Sequence, residues 1–350
     1  MGNKNSGKNM KKSWVKRIIT ILLVLFILGG SSGLFLLYGP WGGFRDWLIT
    51  TAMTTLNHQW IAKLVYSDET IEEVMANNAV IESGEDSNTD EVELVEYKQE
   101  EVKYANEYEE AVLKKDEGND LYKIVKVKGK GYSGHLVVVY DPAKISVCVT
   151  KYLGTKGQYL VDMAKQNNAV VAVNGGGFID PNYNSLGGNP QGTVIKNGKI
   201  VTSRTYRKTG GIIGFTKDNK LLLAKLTAKQ AINKGVRDAV SFGPFLIVNG
   251  KKSFIKGNGG WGQAPRTAIG QRKDGIVLFL VIDGRMVGRP GADMVDLTDM
   301  MAKYGAYNAA NLDGGTSCGL VVKGKLLNDP INGNGAHKTR MIATGFIVKK

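Results

Sequence analysis

The sequence predicts an α+β domain, a mixed sheet with flanking helices, carried behind a single N-terminal transmembrane helix. Three observations point there. From Leu121 onward, short β-branched and aromatic runs alternate with turn residues. A few stretches with apolar residues at helical spacing interrupt those runs. Near the N-terminus, Ile18 to Tyr38 form an uncharged run of 21 residues. The 45 glycines show no collagen period and cluster between apolar runs, as turn-rich sheet proteins require.

The elements follow in chain order. Residues 1–17 carry six Lys/Arg and no acid, a basic tail. The run 18–38 is about 30 Å long as a helix, enough to cross a bilayer. The positive tail before it places the N-terminus in the cytoplasm and the rest of the chain outside. Gly29–Gly33 would also suit a signal-peptidase site, but the apolar run continues past it, so an uncleaved anchor is expected. Residues 39–81 read as a juxtamembrane helical stalk, with Trp47, Leu48, Met53, Leu56, Trp60 and Leu64 near helical spacing. Residues 82–120 carry 15 acids against four lysines and few large apolar groups, which reads as an acidic linker, helical within 97–113, with folding back on the basic domain as an electrostatic cover the alternative.

Residues 121–350 then form the folded domain. Ile124–Val127, His135–Tyr140, Ile145–Thr150, Ala169–Val173, Ile276–Ile282, Leu320–Val322 and Met341–Val348 read as strands, and Tyr159–Gln166 and Asp293–Tyr304 as helices. Asn197-Gly198, Asn249-Gly250 and Asp274-Gly275 sit between apolar runs and signal tight hairpins. Gly129-Lys-Gly131-Tyr-Ser-Gly134 has the spacing of a dinucleotide fingerprint, but a strand rather than a helix follows it, so it reads as a turn. Only Cys148 and Cys318 are present, which is no disulfide framework.

Charge narrows the function. The whole chain is +14, but residues 121–350 alone carry 34 Lys/Arg against 12 Asp and no Glu. Such a surface suits polyanions, and an outward-facing domain meets phosphate-bearing glycans or cell-wall polymer rather than nucleic acid. No Walker A, G-x-S-x-G, H-E-x-x-H or paired-Cys spacing occurs, which argues against nucleotide phosphoryl transfer, the usual serine hydrolases and structural zinc. No metal ligand set is expected and no cofactor is required; a divalent cation such as Ca2+, shared by carboxylates and a phosphate, is compatible with the residues.

Carboxylate chemistry must come from Asp. Most of the twelve precede Pro, occupy turns or belong to helices; Asp238, Asp283 and Asp313 remain. Asp283 ends a buried strand before Gly284-Arg285, and Asp313 follows Ala309-Ala-Asn-Leu312 and precedes Gly314-Gly315-Thr316-Ser317. A carboxylate at a strand end beside glycines is where sheet proteins commonly build sites. Asn174 before Gly175-Gly176-Gly177 has the same setting, and those amides would suit an anion nest. Arg266 offers a planar fork for phosphate, with Arg340 a weaker second.

Six stretches together resemble the phosphodiester glycosidase family: Ala172-Val-Asn-Gly-Gly-Gly-Phe178, Gly188-Asn-Pro-Gln-Gly192, Phe242–Gly250, Pro265–Gly270, Val281-Ile-Asp-Gly-Arg285 and Asn311-Leu-Asp-Gly-Gly-Thr-Ser317. Relatives often carry Gly where this chain has Thr316. The resemblance implies hydrolysis of the bond between an anomeric carbon and phosphate. It implies Asp313 and Asp283 as the carboxylate pair, Arg266 on the phosphate, and Asn174 and Ser317 on the sugar. Gly175, Gly176, Gly314, Gly315 and Arg340 would complete the binding surface. A sugar-phosphate transferase using the same residues, and a non-catalytic module binding anionic polymer, are the competing expectations.

Overall fold

The computed structural model describes residues 6–55, 58–96, 103–179, 186–204, 210–332 and 335–350, with side chains from Trp14 onward. Two compact units result, Met1–Val74 and Met75–Lys350.

In the first unit a helix runs Ser6–Tyr38, and its segment Trp14–Tyr38 is long and apolar enough to cross a membrane. The expected stalk is three separate helices, Gly42–Met53, Gln59–Val65 and Asp68–Asn77. Tyr38 and Tyr66 reach across this unit. Tyr38 Oη donates to Val65 O and Tyr66 Oη to Leu37 O, both at 2.9 Å, and their rings meet edge to face. Trp41 and Trp60 are exposed, as suits residues at a membrane–water interface.

The second unit is built chiefly from three large antiparallel sheets, with two further two-stranded ones, among the described residues. The largest orders its seven strands Lys251–Lys252, Phe245–Val248, Ala306–Leu312, Arg266–Arg272, Val277–Asp283, Tyr132–Val139 and Tyr122–Gly129. A second sheet of five orders Lys325–Leu326, Leu320–Val322, Ala169–Asn174, Thr344–Lys349 and Ile145–Val149. The third, also of five, holds Leu221–Ala224, Gly211–Thr216, Val236–Phe242, Thr193–Lys196 and Lys199–Ser203. One face of each contributes to a shared core that includes Val137, Phe279, Val173, Phe215 and Phe346. The outer face of the seven-stranded sheet is covered by Met294–Lys303, with Leu297 and Met301 buried against it. Leu160–Gln166 and Ala228–Asn233 cover the other two sheets. Each turn predicted from Asn-Gly or Asp-Gly is a hairpin connection. Asn197-Gly198 and Asn249-Gly250 have positive φ at both residues, as type I′ chemistry demands, whereas at Asp274-Gly275 only the glycine does. Gly129 and Tyr132 face each other across the turn that mimicked a dinucleotide motif.

The acidic stretch departs from the expected linker. Residues 82–96 are hydrogen-bonded onto the domain, at the edge strand Leu221–Ala224 and at the turn after Arg266–Arg272. Ser87 N donates to Leu223 O while Leu223 N donates to Ser87 Oγ, each at 2.8 Å. Glu93 N and Val95 N donate to Lys273 O and Asp274 O. Glu82 is nearly buried; its Oε1 accepts from Gly210 N and Phe245 N and its Oε2 pairs with Lys225. The helix expected within 97–113 is Glu107–Leu113, capped by the Asn106 side chain; residues 97–102 lie outside the described ones. Composition counted charges there, but the edge-strand backbone needed partners, and acids are natural company for a basic domain.

Candidate active site

Register places the predicted residues along one edge of the seven-stranded sheet. Arg266 pairs with Ile282 on one side, and Thr267 pairs with Leu312 on the other. Asp283 and Asp313 therefore end the two strands flanking the start of the Arg266 strand. Asn174 ends a strand of the neighbouring sheet, and Asp313 N donates to Gly175 O at 3.0 Å, joining the two sheets there.

Asp313 is the hub. Its Oδ1 accepts from Gly314 N at 3.0 Å and its Oδ2 from Arg340 Nη2 at 3.3 Å. Its carbonyl accepts from Asn174 Nδ2 at 2.6 Å. The carboxylate retains 14% side-chain exposure and the Arg340 side chain 18%, so the pair is reachable. Arg340 Nε donates to Ser317 Oγ at 2.7 Å, and its guanidinium lies 4.4 Å from the Phe178 ring centroid. Three contacts thus fix the guanidinium that meets Asp313.

Several predicted contacts instead build the frame. Asn174 is fully buried; besides holding Asp313 O, its Oδ1 accepts from Thr267 Oγ1 and Gly319 N. Ser317 is also fully buried. Both side chains position Asp313 and Arg340 rather than facing a sugar. Arg266, 4% exposed, donates Nε to Ala292 O and Nη2 to Trp261 O and Gly262 O. Burial pushes its pKa down to about 10. Three carbonyls thus occupy its Nε and Nη2, while Nη1 lies beside Gly314. The anion nest is likewise absent at Gly175 and Gly176, whose N–H groups donate to Thr344 O and Thr344 Oγ1. A Cβ on Gly176 would sit 2.7 Å from Ser241 O, so close backbone packing explains that glycine. Gly315 N donates to Pro265 O.

Asp283 is 8% exposed, and its Oδ1 accepts from Asn328 Nδ2 at 2.9 Å and Asp329 N at 3.1 Å. Burial raises its pKa, partly offset by those two donors and by His135. It makes no hydrogen bond to Asp313, Arg340 or Ser317 among the described residues. Asn328 Nδ2 also reaches Cys318 O at 3.4 Å, which links Asp283 to the loop after Asp313. Cys148 and Cys318 are free thiols, buried, with pKa values pushed up to about 12. No group of three or more His, Cys, Asp or Glu placed to hold a metal occurs among the described residues.

A model of the phosphodiester glycosidase family matches residues 167–349, more than half of the chain. The chain belongs to the phosphodiester glycosidase family. The SPbeta prophage-derived uncharacterized protein YomE of Bacillus subtilis is 29% identical over 204 residues, 55% of this chain and 31% of that protein. The N-acetylglucosamine-1-phosphodiester alpha-N-acetylglucosaminidase of Bos taurus is 24% identical over 213 residues, 55% of this chain and 38% of that one. The chain thus spans about a third of the length of these curated relatives. The fold is shared with the catalytic domain of the zebrafish N-acetylglucosamine-1-phosphodiester alpha-N-acetylglucosaminidase, solved auto-inhibited by its pro-peptide. There the TM-score is 0.56 at 22% identity, over 67% of this chain and 85% of that one.

Within this phosphodiester glycosidase fold, sequence reasoning overlooked Arg285. Its φ is +63°, a conformation that costs a side-chain-bearing residue of order 1–3 kcal/mol. The turn carries the guanidinium back over the Asp313 loop, where a Cβ on Gly315 would lie 3.0 Å from Arg285 Nη2. Arg285 is exposed to solvent. Burial and the Arg340 charge push its pKa down. No carboxylate pairs with it among the described residues. The signal was its place in Asp283-Gly284-Arg285, immediately after a strand-end Asp-Gly. His337 Nδ1 meets Asp329 Oδ1, next to the Asp283 hydrogen bond.

Proposed function

We propose that residues 75–350 form a glycosidase that hydrolyses a sugar 1-phosphodiester in a surface glycan, and that the helix Trp14–Tyr38 holds it at the membrane with the domain outside. The observation that carries this reading is the Asp313–Arg340 pair beside Arg285. It puts one accessible carboxylate next to two guanidiniums, only one of which is neutralised.

The chemistry suits that arrangement. In hydrolysis the bond between the anomeric carbon and the phosphate oxygen breaks, and its electron pair leaves with the phosphate. Water supplies the new sugar hydroxyl, and a phosphomonoester departs. Phosphate leaves readily, so the site needs chiefly to hold its charge and to stabilise an oxocarbenium-like carbon. Arg285 and Arg340 take the phosphate oxygens. Asp313, held by Gly314 N and Arg340, faces the anomeric carbon as base or nucleophile. Asp283, whose raised pKa favours the protonated form, supplies a proton or anchors a sugar hydroxyl. Asn174, Thr267 and Ser317 hold these groups in place from beneath.

The test is release of free sugar and phosphomonoester from a panel of sugar 1-phosphodiesters by the full chain in detergent. Release of both in equal amounts is expected. Retention of the phosphodiester across the panel, by a folded protein that still binds the glycan, would contradict the reading. Transfer of the sugar phosphate to an added glycan acceptor, in place of water, would reassign it as a transferase.

A further inference from the structure

We infer that the turn 150–158 is a second anion subsite, which takes the neighbouring phosphate of a glycan whose first phosphodiester lies at Asp313 and Arg340. The inference rests on the proposed function above and adds to it a substrate class: a glycan bearing phosphates in series.

Lys151 and Lys156 converge on one exposed ring. Their Nζ atoms lie 4.9 and 4.7 Å from the centroid of Tyr152, which is 40% exposed. Neither ammonium has a carboxylate partner among the described residues. Two like charges held near one another repel. The electron-rich ring offsets part of that, and an incoming phosphate would offset the rest.

The turn is built rather than draped. Thr150 and Gln158 are buried beneath it. Thr150 Oγ1 donates to Lys156 O at 3.0 Å and accepts from Tyr152 N at 3.2 Å. Gln158 Oε1 accepts from Lys151 N at 2.8 Å. Thr155 N and Lys156 N both donate to Tyr152 O. The backbone bearing both lysines is therefore fixed before any ligand arrives.

The turn is also continuous with the site. Gln158 and Ile342 exchange backbone hydrogen bonds at 3.0 and 2.9 Å, two residues beyond Arg340. On the other side Gly154 N donates to Gly188 O at 2.9 Å. Gly188 leads into Asn189–Pro190, which pairs with Phe178–Ile179, and Phe178 carries the Arg340 guanidinium. A Cβ on Gly188 would meet Lys156 N at 2.4 Å, so only glycine lets these two segments touch. Arg340, Lys156 and Lys151 thus lie on segments tied together by backbone hydrogen bonds.

Two defined glycans test this, identical except that one carries a single sugar 1-phosphodiester and the other a second phosphodiester one repeat away. Binding to the full chain carrying Asp313→Asn reads the subsite without turnover. The expected result is that adding Lys151→Gln and Lys156→Gln weakens binding of the two-phosphate glycan roughly tenfold, or about 1.4 kcal/mol. The one-phosphate glycan should be unaffected, and the advantage of the second phosphate should fade as salt rises. Equal loss for both glycans, or none for either, would overturn the subsite. In the active chain the same pair of substitutions should raise KM for the two-phosphate glycan alone with kcat unchanged. If neither glycan is cleaved but the binding difference persists, the hydrolase reading fails and the subsite stands.

Discussion

Two of the aspartate–arginine pairs in the second unit, Arg237–Asp238 and Asp313–Arg340, differ in burial and in what surrounds them. Asp238 is 1% exposed and its Oδ2 accepts from Arg237 Nη1 at 2.6 Å. Its Oδ1 takes Val147 N and Asn197 N, and Arg237 also donates to Ile145 O, Pro142 O and Asn219 Oδ1. That pair ties the Val236–Phe242 strand to the Ile145–Val149 strand and leaves no capacity for a ligand. Asp313 and Arg340 meet at a longer 3.3 Å, keep partial exposure, and stand beside Arg285 with its charge unanswered. Of these two aspartates, the one with an unanswered charge beside it is the proposed site, and the one whose partners are all protein is a rivet.

The contrast is sharpened by breaking each side in turn. Asp238→Ala should have the largest effect, since it strands a largely buried guanidinium; roughly 3–5 kcal/mol of stability should be lost. Denaturant unfolding of the full chain in detergent reads it, and a change under 1 kcal/mol would show the pair to be dispensable. Arg285→Met should instead leave stability nearly untouched and raise KM for a sugar 1-phosphodiester about 10–100-fold, the equivalent of one or two lost charge-assisted hydrogen bonds. Ser317→Ala removes the oxygen that aims Arg340 and should cost roughly tenfold in kcat/KM. A steady-state comparison with Ser317→Thr, which restores a hydroxyl, separates aim from packing.

The smallest effect is a pH slope. Burial first, then the adjacent Asp293 carboxylate, raise the pKa of Asp296 from 3.8 to about 6. Below 3.8 both folded and unfolded states hold the proton. Between 3.8 and about 6 the folded state keeps a proton that the unfolded state releases, so stability falls as pH rises through that window. Asp296→Asn should flatten the melting temperature against pH there. An unchanged slope would place its origin elsewhere.

What the sequence disclosed, and what it hid, follows the range of the interactions involved. Turn chemistry at Asn197-Gly198 and Asn249-Gly250 is local, and both are hairpins with positive φ. The Asp293–Tyr304 pattern carries its own cap, and the helix is Met294–Lys303 with a reciprocal Asp293–Asp296 capping box. Partnerships across the chain were not readable. Arg340 lies 27 residues from Asp313, and nothing in Lys338-Thr-Arg-Met marks it above Arg266, whose better motif conceals a guanidinium bound to carbonyls. Asn174 stood out by its place before the glycines and Ser317 through the family resemblance, both as sugar contacts. Their depth, and so their role as supports, depends on the meeting of two sheets. The acidic 82–96 stretch was misjudged because net charge outweighed Ser87 and Val92, the residues that seat it.

The most direct test of the central claim compares Asp313→Asn with Asp238→Asn in the same full-length chain, recording sugar release and melting temperature for each. Asp313→Asn should lose turnover by at least about 1,000-fold, some 4 kcal/mol of transition-state stabilisation, while melting within about 2 °C of the parent. Asp238→Asn should melt well below the parent, yet turn over normally wherever it remains folded. Near-parental turnover by Asp313→Asn, or selective loss of turnover in folded Asp238→Asn, would contradict the account and move the site away from the Asp313–Arg340 edge.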